Sequence, residues 1–430
     1  MKSSDGRPRA VGHRCLSAPS ALIAGVLFAA TALTACSDGG APGSTLTGSG
    51  QAQGSGGQTQ GGGGYAQGGG GQTQGGGMGG EGGTSGCAVG HADCNGDSTD
   101  GCEVTLDSDG NHCGACGHTC GGGACDTGAC QPILLATGVI PDGLAVDDAY
   151  VYWVGDAPMV QDSVFRADKV VGGVPEVLST ATWNASHLAL RGDYVYWINR
   201  DEIDEIRRVA KTGGPSEVLV TSQENFNLRF VVDDTHLLWY DQSTSQLRRK
   251  PLAGGPEELI PSPNFLCSLA SGASYWYEGP CSGEATVKRV SKIDTSIAEP
   301  VSLSVLRAST LIEDGDYVWW SHIGTYDAGG PGCYTKEDGG ILRAPSAGGA
   351  PQEVVSGFEE LDNLVVDSDF LYWSACVPAS PSQNRLWRAP KVGDGRPEVI
   401  PQAGDYVNYV ASDGQFIYYN ESLKIYRLAK

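Results

Sequence analysis

Basic residues are scarce in this chain. Over 430 residues, 28 Lys+Arg face 50 Asp+Glu, and the net charge is -22. A surface of that sign repels phosphates, which excludes nucleic acid and anionic bilayers as partners held by charge. Charged residues of either sign make up only 18% of the chain while Gly takes 64 positions, so much of the length has no place in a packed core. No apolar run is long enough to span a bilayer comfortably; the best is Ala21-Leu-Ile-Ala-Gly-Val-Leu-Phe-Ala-Ala30. There is also no Gly-x-Ser-x-Gly elbow, no His-Glu-x-x-His and no phosphate loop ending in Gly-Lys-Ser/Thr. No motif therefore calls for a cofactor, and any catalysis has to be gathered from distant segments.

What the N-terminus does contain is an address. Lys2, Arg7, Arg9 and Arg14 precede the apolar run, and Leu33-Thr34-Ala35-Cys36 follows it. This pattern reads as a secretory signal over residues 1-35. Its ending resembles the lipobox of bacterial lipoproteins, which implies that Cys36 becomes the lipidated first residue and holds the chain to a membrane. Ser37 stands where Asp favours inner-membrane retention in that family, so the resemblance implies the outer membrane or the cell surface. Residues 36-86 form a tether, since positions 39-86 hold 24 Gly among Gln, Ser and Thr. Such a segment has nothing to bury and is expected to be a disordered coil spanning about 40 Å.

Residues 87-130 carry Cys87, Cys94, Cys102, Cys113, Cys116, Cys120, Cys125 and Cys130. An even number of cysteines at this density, in an exported segment too short for a core, predicts four disulfides of open connectivity. Zinc is the competing reading, suggested by Cys113-x-x-Cys116 with His112, His118 and Cys120 close by. The strings Cys94-Asn-Gly-Asp97 and His112-Cys-Gly-Ala-Cys-Gly117 resemble Cys-rich modules of exported lipoproteins from social Gram-negative bacteria. That likeness implies no chemistry.

From residue 131 to 430 the chain repeats. Each unit has an apolar strand ending at an acidic or Gly turn, an aromatic strand, a strand carrying Arg, and a strand after a Gly-rich turn and Pro. The aromatic strands carry Tyr152-Trp153, Tyr196-Trp197, Leu238-Trp239, Tyr275-Trp276, Trp319-Trp320, Tyr372-Trp373 and Tyr418-Tyr419. The Arg series is Arg166, Arg208, Arg249, Arg289, Arg343, Arg388 and Arg427. Four short β-runs per unit, recurring seven times at blade-like spacing, predict an all-β fold: a seven-bladed β-propeller of four-stranded antiparallel blades. The last unit lacks a fourth strand, and Pro132-Ile-Leu-Leu-Ala136 is expected to supply it and close the ring. The aromatic strands with their acidic turns resemble bacterial surface propellers and, more distantly, the Tyr-Trp-Thr-Asp propellers of lipoprotein receptors. None of the seven pairs is followed by Asp, so the resemblance implies the fold and not the receptor sites.

Repeated Arg and aromatic residues read as framework, and function falls to the positions that break the repeat. The insertion in the fifth unit mixes aromatic and charged groups, with His322, Tyr326, Asp327, Tyr334, Lys336 and Asp338 as candidate contacts. Cys267 is expected to pair with Cys281, and Cys333 with Cys376, the second bond restraining that insertion. His187, Asn227 and Arg229, with Asn184, Asp362 and Asn408, lie at or near first-strand starts and are expected at the axial mouth. The function this supports is binding of a protein or glycan partner on the loop-rich face. An exported lyase or hydrolase using the axial mouth is the first alternative, and a passive envelope role the second.

Overall fold

The computed structural model describes residues 86-157, 160-180, 184-200, 203-222, 228-242, 244-262, 265-281, 285-305, 307-325, 338-376, 383-392 and 396-430. All of them fall in one compact unit, Gly76–Lys430. The signal, Cys36 and nearly all of the tether lie outside the described residues.

Alternating apolar positions and tight turns fold residues 133-429 into four-stranded antiparallel sheets in chain order. The first four span 140-179, 186-221, 228-260 and 266-305. The next two share one long strand, Gln352–Val366, whose first half closes the fifth sheet and whose second half opens the sixth. In the seventh, Val410–Ser412, Phe416–Glu421 and Lys424–Ala429 are joined by Ile133–Thr137, which pairs antiparallel with Lys424–Ala429. First strands of successive sheets touch one another around a closed circuit, and that of the seventh meets that of the first. The architecture is a β-propeller sealed without a covalent bond, with the N-terminal strand as the missing fourth strand.

Aromatic side chains fill the wedges between sheets: Trp153, Trp197, Trp239, Trp320 and Trp373 are fully or almost fully buried. The fourth sheet corrects the sequence alignment. Arg289 lies opposite Tyr277, as Arg166 lies opposite Tyr152. The equivalents of Tyr152-Trp153 are therefore Tyr277-Glu278, not Tyr275-Trp276, and a carboxylate stands where five other sheets place Trp. Trp276, two residues earlier on the same side of the strand, fills part of the wedge instead.

The seven Arg residues occupy equivalent register positions. Arg166 shows the pattern. Its guanidinium bonds Glu176 on the fourth strand, donates to the Lys211 carbonyl of the next sheet at 2.6 Å, and lies over the Tyr150 ring. Three residues after the Arg, a Lys clasps the turn Asp of the preceding sheet. Lys169–Asp413, Lys211–Asp147, Lys292–Asp233, Lys391–Asp314 and Lys430–Asp367 are 2.7 to 2.9 Å apart. The framework reading of the Arg series holds.

The cysteine module is cross-linked as Cys87–Cys102, Cys94–Cys116, Cys113–Cys125 and Cys120–Cys130. Cys113 and Cys116 take different disulfide partners, so the zinc reading of that pair is overturned. The module docks on the seventh sheet. Cys113, Cys120 and Cys130 share a core with Ile400, Val407 and Leu428, and His118 bridges the Cys113 and Lys430 carbonyls at 2.5 and 2.6 Å. Gly121 has φ +60°, and a Cβ there would overlap the Phe416 ring, so this close approach needs glycine. Its carbonyl accepts from Arg427 at 2.7 Å, standing in for the fourth-strand Glu that Ile133 does not supply.

Candidate functional site at the axial mouth

The clasped turns sit where first strands end. The opposite face, where first strands begin, is built differently. Register shifts interrupt the pairing of the first and second strands at Pro141/Leu144, Ser186/Ala189, Leu266/Ser268 and Glu359/Asp362. Non-glycine residues adopt left-handed backbone at the same end: Asn184, His187, Glu360, Asn363 and Tyr406 have φ between +46° and +65°. Bulges re-aim side chains and concentrate near functional sites. Here they adjoin Asp142, His187 and Asp362, which interact electrostatically with Arg229 and Tyr409 of regularly paired first-strand ends and with Arg200 and Arg307.

Inter-sheet hydrogen bonds tie the rim together. The Asn184 N–H donates to Asp162 at 3.1 Å, Arg229 Nε donates to the Cys267 carbonyl at 3.0 Å, and Asn363 donates to the Asn408 carbonyl. His187, Asp142 and Asp362 are open to solvent, yet protein encloses them on enough sides that desolvation is the largest influence on each. A side chain in a well meets both conditions.

Charge is divided around the well. Burial pushes the Asp142 carboxyl up to about 6, and its neighbours Asp156 and Asp162 add to the rise while Arg200 opposes it. Burial lowers the Arg229 guanidinium to about 10, and Arg200 and Arg307 lower it further against Asp362 and Asp204. Desolvation, then Arg229 and Arg200, hold the His187 imidazole well below its usual range, so it is neutral at pH 7. Burial raises Asp362 and the Tyr409 hydroxyl. Arg200 Nε is buried without a hydrogen-bond partner among the described residues.

Of the candidates read from sequence, the structure brings His187, Arg229 and Asp362 together, with Asn184 and Asn408 on the rim. Asn227 lies outside the described residues. So do Tyr326, Asp327, Tyr334, Lys336 and Cys333. His322 is a correction: it is 7% exposed within the fifth sheet, so it is not available as a surface contact. Asp338 accepts the Thr325 N–H at 2.7 Å and pins the base of the insertion. Cys267–Cys281 is formed. Cys376 is disulfide-bonded, as expected of it.

Sequence reasoning missed Asp142, Arg200, Arg307 and Tyr409. A signal for two of them exists. Counting back four or five residues from each turn acid (Asp147, Asp233, Asp367, Asp413) lands on Asp142, Arg229, Asp362 and Tyr409. Arg200 and Arg307 lie outside that slot and carry no repeat-level mark. A surface cleft of about 380 Å³ lies elsewhere, between 134-137 and 172-177, and its lining includes no titratable side chain.

The fold and this well define a β-propeller with a charged axial mouth. No protein-family model and no curated protein matches the chain. Solved structures do. Virginiamycin B lyase from Staphylococcus aureus is 13% identical, with a TM-score of 0.51 over 70% of this chain and 98% of that one. The WD40 β-propeller domain of Doa1 is 11% identical, with a TM-score of 0.50 over 70% and 97%. The extracellular domain of a putative one-component system from B. thetaiotaomicron is 13% identical, with a TM-score of 0.50 over 69% of this chain and 40% of that one. At these identities the likeness shows the fold alone. The disulfides mark a chain that folds in an oxidising, exported environment.

Proposed function

We propose that this is an exported binding propeller, lipid-anchored through Cys36 and held off the outer membrane or cell surface by its Gly-rich tether. Its axial mouth receives a ligand carried by a protein or glycan partner. The observation that carries this reading is the convergence of Asp142, His187, Arg200, Arg229, Arg307, Asp362 and Tyr409, from five sheets and one connection, on one well. Maintaining partly buried charges there costs stability, and frameworks keep such costs where a ligand repays them. Probing peptide and glycan arrays with the full chain tests it. Binding should weaken with salt, disappear in Arg229→Met and persist in Val171→Ser on the outer rim. Binding that survives Arg229→Met but is lost on removal of residues 324-338 would move the site to the fifth-sheet insertion.

One observation favours the enzyme reading at the same mouth. A neutral imidazole beside guanidinium groups is suited to take a proton while positive charge stabilises the anion left behind. Under that reading, an array ligand incubated with the protein changes mass, and His187→Ala stops the change without abolishing binding.

A further inference from the structure

The connection between the sixth and seventh sheets, on the face where first strands begin, is held from both sides. Ala403 and Val407 are fully buried, and both share a core with Cys113, Cys120 and Cys130, so the cysteine module backs the loop. In front, the loop runs along the third strand of the sixth sheet. Arg385 and Asp405 form a β-bridge and a 2.8 Å ion pair, and the Val407 N–H donates to the Asn384 carbonyl at 3.0 Å. The buried Asn420 side chain accepts the next two N–H groups, those of Asn408 and Tyr409, at 3.0 and 2.8 Å. Between these anchors Tyr406 takes φ +65° and is 38% exposed. A bulky residue in left-handed backbone is an outlier, and such strain persists where the surroundings force a side chain into a working position. Asn408, exposed on the other side of Val407, gathers two more amides. Asn384 donates to Asn408 Oδ1 at 3.3 Å, and Asn363, itself at φ +52°, donates to the Asn408 carbonyl. Asn408 Nδ2 and the Oδ1 atoms of Asn363 and Asn384 have no partner among the described residues.

We propose that this rim is a subsite for a neutral pyranose sugar, with its C–H face against the Tyr406 ring and its hydroxyls on the amides of Asn363, Asn384 and Asn408. A hydroxyl both donates and accepts, which matches amides that offer Nδ2 and Oδ1 atoms side by side, and an apolar C–H face packs on an aromatic ring. The charges of Arg385 and Asp405 neutralise each other, so this pair selects neither an anion nor a cation. A peptide strand cannot add to the loop, because the N–H groups of Val407, Asn408 and Tyr409 are already engaged. The proposal deepens the binding reading by choosing a glycan as the partner class, and it stands on residues other than the charged groups of the well.

Methyl glycosides of glucose, galactose, mannose and N-acetylglucosamine, and linear trimers of the same sugars, test this when offered at millimolar concentration to the full chain in saturation-transfer NMR and calorimetry. At least one should bind, with an affinity that added salt leaves unchanged. Tyr406→Asn puts a residue suited to left-handed backbone in place of the ring, so it should weaken binding by about tenfold without lowering the melting temperature. Tyr406→Phe should retain binding, and Val171→Ser, in a turn of the first sheet, should leave it as in the parent. The sugar titrations use the unmodified protein and stand even if a variant fails to fold. No binding of any of these sugars, or binding undiminished in a folded Tyr406→Asn, overturns the subsite. If array binding still depends on Arg229 while no sugar binds, the axial-mouth reading survives and only the saccharide falls.

Discussion

The two faces of the propeller use the same residue types in opposite ways. Where first strands end, each of five turn carboxylates meets a Lys of the neighbouring sheet. Where first strands begin, charges of both signs are mixed: Asp156, Asp162 and Arg200 act on Asp142, and Arg200, Arg307, Asp362 and Asp204 act on Arg229, and in both cases burial outweighs the opposite charge. Burial alone raises the Asp233 carboxyl, but Lys292 and the Thr235 and His236 N–H groups outweigh it and hold the group below the usual carboxylate range. At Asp142 nothing outweighs burial. One face therefore clasps sheet to sheet through paired charges, while at the other burial outweighs the opposite charges that are near.

The sharpest break of that contrast is Asp233→Ala, which strands Lys292 and removes the acceptor of Trp276 Nε1. Losing one partner of a buried pair should cost about 3 kcal/mol in denaturant unfolding. Arg229→Met, at a partly buried position, loses the bond to the Cys267 carbonyl and the attraction of Asp362 and Asp204 together with the repulsion from Arg200 and Arg307, so it should cost no more than about 1 kcal/mol. A large loss there would mean that the mouth is framework.

Acidity separates the faces too. Asp142, raised to about 6, and Glu278, raised to about 7 by burial, bind protons more tightly folded than unfolded. Their charged forms weaken the fold above those values, and the penalty is relieved as pH falls toward 4 to 5. The clasp carboxylates Asp147, Asp233, Asp314 and Asp413 are depressed, so their contribution is present above about pH 4 and lost below it. The melting temperature should therefore rise from pH 8 to about 5 and fall under about 4. Glu278→Gln should stabilise the protein by about 1 kcal/mol at pH 8 and by almost nothing at pH 5, measured by urea unfolding at both values. A flat profile would show that these carboxyls are better hydrated than their surroundings indicate. The smallest effect is expected from Glu176→Gln. Its carboxylate is 59% exposed, so losing its ion pair with Arg166 should cost under about 0.5 kcal/mol.

The sequence made the repeating part legible and the irregular part less so. The period, the Arg ladder and the closing strand near residues 132-136 follow from residues recurring at fixed strand positions, and the Cys267–Cys281 bond follows from the place of these two cysteines within the fourth unit. Tyr275-Trp276 imitated the aromatic anchor because Trp276 had moved two places along its strand, and only the pairing of Arg289 with Tyr277 exposes Glu278 as the true equivalent. His187, Arg229 and Asp362 were legible as first-strand starts. The backbone at His187 and Asp362 was not, because it depends on bulges and left-handed turns that leave no periodic trace in the sequence. Arg200 and Arg307 reach the well from a second-strand end and an inter-sheet connection, which no count along the repeat marks.

The closing strand has a consequence in time. Ile133–Thr137 leaves the ribosome, and in an exported chain crosses the membrane, about three hundred residues before its partner Lys424–Ala429. Until then it is an apolar ribbon with a bare edge, open to pairing with other newly made chains. The adjoining cysteines bond over separations of only 10 to 22 residues, so they can oxidise as soon as they emerge. A finished knot beside an unfinished ribbon gives the latecomer a fixed landing place: Gly121 and His118 are ready to receive Arg427 and Lys430 when they arrive.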